Sequence, residues 1–144
     1  MEIESTVSFL LSKLGVVHRN MVERAAIEIG LHSGQVFVLM ELWKRDGQRQ
    51  IDLATNLGLA APTVNKILGG LIESDLVTRG KFEDDARSTR VFLTEKGLRI
   101  KPQVEAQWAR IEEEAIGPLT DTEALIMRQL LSKMLTTGDA ETNS

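Results

Sequence analysis

The chain has 144 residues, 42% of them hydrophobic, with 17 Lys and Arg against 21 Asp and Glu and a formal net charge of −4. That suits one domain, or one domain with an extension, and the absence of cysteine excludes a disulfide framework and a thiol-based oxidant sensor. No apolar run approaches the ~20 residues of a membrane span. The acidic start Met1-Glu2-Ile3-Glu4 lacks a signal peptide's basic region, so a cytoplasmic protein without membrane contact is expected.

Residues 3–29 read as one helix, with Ile3, Val7, Leu10, Leu11, Leu14, Val17, Met21 and Ala25 along one side. Gly30 ends it. Ser33 suits the N-cap of a second helix in which Val36, Phe37, Leu39, Met40 and Trp43 are mostly apolar.

From Ile51 to Gly97 the pattern is helix, tight turn, helix and a two-stranded hairpin with a charged tip. Leu53, Ala54 and Leu57 share one face of the first helix, and Gly58 supplies a left-handed stop. The second helix opens at Pro62, whose fixed φ suits a first helical position. Val64, Ile67, Leu68, Leu71 and Ile72 form its core stripe. The opposite face carries Pro62, Thr63, Asn65, Lys66, Gly69 and Gly70. These residues are small or polar with a single positive charge, which suits a helix entering a major groove. Val77-Thr78-Arg79 and Arg90-Val91-Phe92-Leu93-Thr94 read as strands. Between them Arg87 is placed to reach a minor groove, with Asp85 able to accept from it and hold its fork. A charged hairpin in isolation reads better as a solvated loop with an ordinary ion pair; directly after a helix-turn-helix, the DNA reading is the stronger. Residues 44–93 hold eight Lys/Arg and seven Asp/Glu and are the only net-positive stretch, since both flanks are net negative.

Thr94 can cap a long helix running to about Gly117, with Leu98, Val104, Trp108, Ile111 and Ala115 on a stripe. Gly117-Pro118 breaks it. The consecutive Glu112, Glu113 and Glu114 point apart on a helix and read as a solvated face. Thr120 with Glu123 forms a capping box for a last helix carrying Leu125, Ile126, Leu130, Leu131, Met134 and Leu135. The expected architecture is mainly α with a small two- or three-stranded β-wing. A winged helix-turn-helix lobe occupies 31–94. A helical dimerisation region combines 1–30 with 95–137, and 138–144 form a flexible tail. The flanking helices either complete a monomeric core or bury apolar patches across a two-fold axis.

The segment resembles the MarR family of bacterial transcriptional regulators. The matching residues are Leu57-Gly58-Leu59, Thr63-Val64, Leu71, Leu76-Val77, Arg79, Asp85-Ala86-Arg87 and Leu93-Thr94-Glu95-Lys96-Gly97. Leu31 to Leu39 and Leu119 to Glu123 extend the resemblance over nearly the whole chain. Ala60 and Ala61, Gly70 and Asp75 depart from it, standing where polar or basic residues, Arg and Gly respectively are common. The resemblance implies a homodimer, an inverted-repeat operator in double-stranded DNA and, in many members, a pocket for a small lipophilic or anionic effector.

The expectation is therefore a ligand-modulated, dimeric repressor with no catalytic site, cofactor or metal. Thr63, Asn65 and Lys66 read or position at the major groove, with Pro62 setting the helix start. Arg87, oriented by Asp85, enters the minor groove. Arg79, Lys81, Ser88 and Arg90 meet phosphates. His18, Arg19, Phe37, Met40, Trp43 and Trp108 are the candidates around an effector. The alternatives are a winged helix that binds protein rather than DNA, or a metal-responsive regulator built on His18 and His32, the two histidines of the chain.

Overall fold

The computed structural model describes residues 1–82 and 85–142, and their side chains except at 82–88 and 137–142. The chain order is a 3-10 turn (Ile3–Ser5), α1 (Val7–Ile27), α2 (Ser33–Lys44), β1 (Gln48–Arg49), α3 (Gln50–Leu57), α4 (Ala61–Glu73), β2 (Val77–Phe82), β3 (Asp85–Leu93), α5 (Glu95–Arg99), α6 (Lys101–Ile116) and α7 (Asp121–Thr142). They fall into two compact units, Met1–Ala109 and Arg110–Ser144, with the boundary inside α6.

Local chemistry explains most element ends. The expected helix from residue 3 is interrupted at Thr6, whose extended backbone and Oγ1, accepting from Phe9 N at 3.2 Å, make it the N-cap of α1. Three helices of the first unit stop in the same way. Leu31 N donates to Ala26 O, Leu59 N to Ala54 O and Leu76 N to Leu71 O, at 2.9, 3.0 and 2.9 Å. Each is a Schellman closure with a left-handed residue before the donor. That residue is Gly30 or Gly58 in the first two (φ 76° and 64°) and Asp75 in the third (φ 61°).

Ser33 is not the N-cap of α2. His32 holds that position, and the Ser33 N–H is taken by Glu23 Oε2 from α1 at 2.8 Å. The helix expected from Thr94 to Gly117 is two helices. Thr94 caps α5 through Gly97 N at 3.0 Å, and the chain then breaks at Ile100 before α6. Pro102, lacking an N–H, cannot donate back to Leu98 and so weakens the helix at that point. The capping box at α7 forms, with Thr120 N donating to Glu123 Oε1 and Glu123 N to Thr120 Oγ1. That helix continues through Thr142, past the expected end at 137.

The three-stranded antiparallel sheet has the order β1-β3-β2, with Gln48 opposite Val91 and Arg79 opposite Val91 from the other side. It backs onto a core of Ala26, Leu31, Val36, Val38, Leu39, Leu42, Leu53, Ala54, Val64, Leu68, Leu71, Leu76, Val77, Val91 and Val104. Val64, Leu68 and Leu71 come from the stripe predicted for α4. The end of β3 is tied to the α4–β2 turn. Thr94 Oγ1 donates to Asp75 O, Thr94 N to Leu76 O and Lys96 Nζ to Ser74 O. Gly97 lies so close that a Cβ there would sit 2.2 Å from Leu76 O. The Leu93-Thr94-Glu95-Lys96-Gly97 step is thus a clasp across the base of the hairpin.

In α1 the packed residues are Val22 and Ala26, not the predicted stripe. Ile3, Val7, Leu10, Leu14 and Val17 are exposed. In the second unit, Leu125, Ile126, Leu130, Leu131, Met134 and Leu135 of α7 are exposed as well.

Candidate nucleic-acid interface

The outer face of α4 presents Pro62, Thr63, Asn65 and Lys66, all exposed. Its N-cap is Ala60, which offers no side-chain acceptor, and Pro62 is the second helical residue rather than the first. The amide groups at this helix start are therefore not taken by a side-chain cap, and the helix dipole adds partial positive charge there.

Asn65 is held from two neighbouring elements. Arg79 Nη2 of β2 donates to its Oδ1 at 2.8 Å, and Gln50 Nε2 of α3 donates to the same oxygen at 3.3 Å. Arg79, expected as a phosphate contact, here braces α4. Arg90 is half-buried and donates from Nη1 to Gly47 O at 3.1 Å, so part of its guanidinium secures the turn into β1. Lys81 is exposed on β2 opposite Thr89. The side chains of Asp85, Arg87 and Ser88 lie outside the described residues. Below this face Arg49 Nε pairs with Asp52 Oδ2 at 3.1 Å, and the Arg49 guanidinium is the main cause holding the Asp52 carboxyl below its ordinary pKa.

A cleft of about 440 Å³ opens beside the same helix in the first unit. It is lined by Gly15, His18, Arg19, Ser33, Gly34, Phe37, Leu57, Leu59, Thr63 and Ile67. Three of the six predicted effector residues, His18, Arg19 and Phe37, therefore share one wall. Trp108 backs them, edge-on to His18 and Phe37 with ring centroids 6.1 and 6.0 Å away. Met40 and Trp43 are not among the lining residues. Both pack against the core, and Trp43 Nε1 donates to Gly97 O at 3.0 Å. Six residues after Phe37, at 3.6 residues per turn, Trp43 has rotated to another side of α2.

His32 lies apart from the cleft lining, with Nδ1 2.7 Å from Glu23 Oε1. This contact, with the Ser33 N–H second, holds the Glu23 carboxyl below its ordinary pKa. Among the described residues no three of His, Asp and Glu converge on a point where they could hold a metal ion.

Residues 31–89, from the start of α2 through the wing, match the sequence profile of the MarR family. Over this segment the chain is similar to the MarR family. A MarR transcriptional regulator from Methanosarcina mazei Go1 is similar over 92% of this chain and 95% of its own, with 27% identity and a TM-score of 0.84. A crystal structure of MarR shares the fold over 99% of this chain and 97% of its own, at 22% identity and a TM-score of 0.89. A Mycobacterium tuberculosis MarR family protein in complex with salicylic acid shares it over 93% and 99%, at 22% identity and a TM-score of 0.77.

Within this MarR-family fold, sequence reasoning missed Gln50 as a brace for Asn65. It also missed Leu57, Leu59, Thr63 and Ile67 as cleft residues. Helical spacing assigned Leu57 and Ile67 to packed faces, and nothing in a linear pattern places Thr63 both on the exposed face of α4 and in the wall of the cleft. No described helix is long and apolar enough to cross a membrane.

Proposed function

We propose that this protein is a homodimeric transcriptional repressor that binds an inverted repeat in double-stranded DNA and is regulated by a small aromatic acid. The observation that carries the reading is the double exposure of α4. Its outer face offers Thr63, Asn65 and Lys66 to a major groove, while Thr63 and Ile67 line the cleft. An occupant of the cleft touches the recognition helix itself. It can therefore favour one position of that helix over another, which is what coupling between two sites requires.

The cleft chemistry suits an aromatic carboxylate. Arg19 supplies a fixed positive charge and His18 an imidazole ring. Phe37, Leu57, Leu59 and Ile67 supply apolar walls. The salicylic acid bound by the similar M. tuberculosis protein belongs to that class. On the DNA side, Lys66, Arg79 and Lys81 join Arg87 and Ser88 of the wing as phosphate or groove contacts. The exposed apolar residues of α1 and those of α7 supply, each within its own unit, surface for a second copy of the chain. A two-fold dimer places its half-sites about one helical turn apart.

The test is selection from random duplex DNA by purified protein at low and moderate salt, with and without salicylate. An enriched inverted repeat whose affinity changes with salicylate is the expected outcome. Absence of DNA binding at either salt would refute the reading and favour a winged helix that binds protein.

A further inference from the structure

We propose that Asn65 is a donor-only reader of the major groove, fixed in that state by Arg79 and Gln50, and that the base it selects is guanine. The inference rests on the DNA-binding reading above and adds to it the identity of one base pair.

An asparagine amide carries one oxygen with two acceptor sites and one NH2 with two donors. Which way such an amide points is ordinarily settled by its partners. Here the partner is decisive, because a guanidinium can only donate. The Asn65 atom 2.8 Å from Arg79 Nη2 must therefore be the oxygen. Gln50 Nε2 donates to the same oxygen at 3.3 Å. Both acceptor sites of Oδ1 are thus engaged by the protein. Asn65 is exposed, and among the described residues Nδ2 has no acceptor. What the side chain offers to the groove is the NH2 group alone.

A free asparagine usually reads adenine, accepting from N6 while donating to N7. That pairing needs the oxygen that Arg79 and Gln50 occupy. With Asn65 braced, the adenine N6 amino group would face another donor, as would the cytosine N4 amino group. Thymine offers a single acceptor beside a methyl group. Guanine alone presents two adjacent acceptors, N7 and O6, which match an NH2 with two hydrogens. The bond to Arg79 is charge-assisted and therefore stronger than a neutral one, so the amide resists turning over to suit a different base.

The experiment is the same duplex selection, run in parallel with Asn65→Ala and Arg79→Met, both at exposed positions, followed by competition binding to single-base variants of the enriched site. The pair whose preference disappears in Asn65→Ala is the one Asn65 reads. It should be G·C, preferred over A·T by about tenfold in the wild type. Arg79→Met should lower overall affinity, reduce the salt slope by about one per half-site, and bring the G·C to A·T ratio at that pair close to one. Three results would overturn the assignment while leaving the DNA-binding reading intact. They are an Asn65→Ala variant silent at every position, a preference at its position for A·T, and a ratio there that Arg79→Met leaves unchanged. If the wild type enriches no sequence at either salt, the DNA-binding reading itself fails, and the assignment with it.

Discussion

Replacing Gly97 with alanine tests whether the clasp behind the wing is a steric requirement. Gly97 is buried, and the difficulty is space rather than backbone conformation. An added Cβ would lie 2.2 Å from Leu76 O, 3.2 Å from Leu76 C and 3.2 Å from Leu93 Cδ2. The closest of these is a backbone oxygen that already accepts from Thr94 N at 3.1 Å, so no side-chain rotation relieves the overlap. Relief requires moving α5 away from the start of β2. Overpacking of this kind costs about 1–3 kcal/mol. The movement also strains the bonds from Thr94 N to Leu76 O and from Trp43 Nε1 to Gly97 O, each worth about 1 kcal/mol. The expected loss is about 3 kcal/mol, equivalent to roughly 10 °C in Tm for a chain of this size. Urea unfolding followed by circular dichroism and tryptophan fluorescence measures it, with Trp43 reporting directly on the altered contact. Gly69→Ala is the contrasting control. Gly69 lies within α4 and a Cβ there meets nothing within 4 Å, so the better helix former should raise stability by about 0.5–1 kcal/mol. A Gly97→Ala variant within 1 kcal/mol of wild type would refute the steric assignment.

Asp75→Gly should stabilise the fold by about 0.5–1 kcal/mol, because Asp75 occupies a left-handed position at φ 61° that glycine adopts without strain; a lower urea midpoint would contradict this. Glu23→Ala should cost about 1 kcal/mol at neutral pH, the size of a lost helix cap, since it frees the Ser33 N–H. The Glu23 pKa is lowered from its ordinary 4.5 by His32 and then Ser33. Its contribution is therefore complete above the unfolded-state value, fades as the pH falls below it, and is gone beneath the depressed folded-state value. Denaturation of both forms from pH 7 to pH 3 checks the convergence. Arg19→Ala and Phe37→Ala should each weaken salicylate binding at least fivefold by calorimetry, through the lost charge and the lost apolar wall respectively, whereas Met40→Leu, outside the cleft lining, should not. Arg87→Ala should weaken DNA binding and flatten its salt slope by about one per half-site, read by titration at several salt concentrations.

Much of this protein was legible in one dimension because its signals are local. The α4 stripe of Val64, Leu68 and Leu71, the stops at Gly30 and Gly58 and the Thr120–Glu123 box each depend on residues within two turns of one another. A helical period or a cap is set by such short spacings whatever the rest of the chain does. The family resemblance likewise lay in local motifs, the wing signature and the step that follows it. Tertiary structure decided whatever depended on a partner distant in sequence. Glu23, ten residues upstream of Ser33, displaced it as the provider of its own cap. The clasp joined residues 94–97 to 74–76, which explains why that step ends in glycine. Rotation along α2 sent Phe37 to the cleft and Trp43 to the α5 backbone. Asn65 looked like a free groove-reading amide until Arg79, fourteen residues on, and Gln50, fifteen residues back, met at its oxygen. A hydrogen bond or a steric limit of this kind belongs to two segments at once, and only the folded chain brings both to the same place.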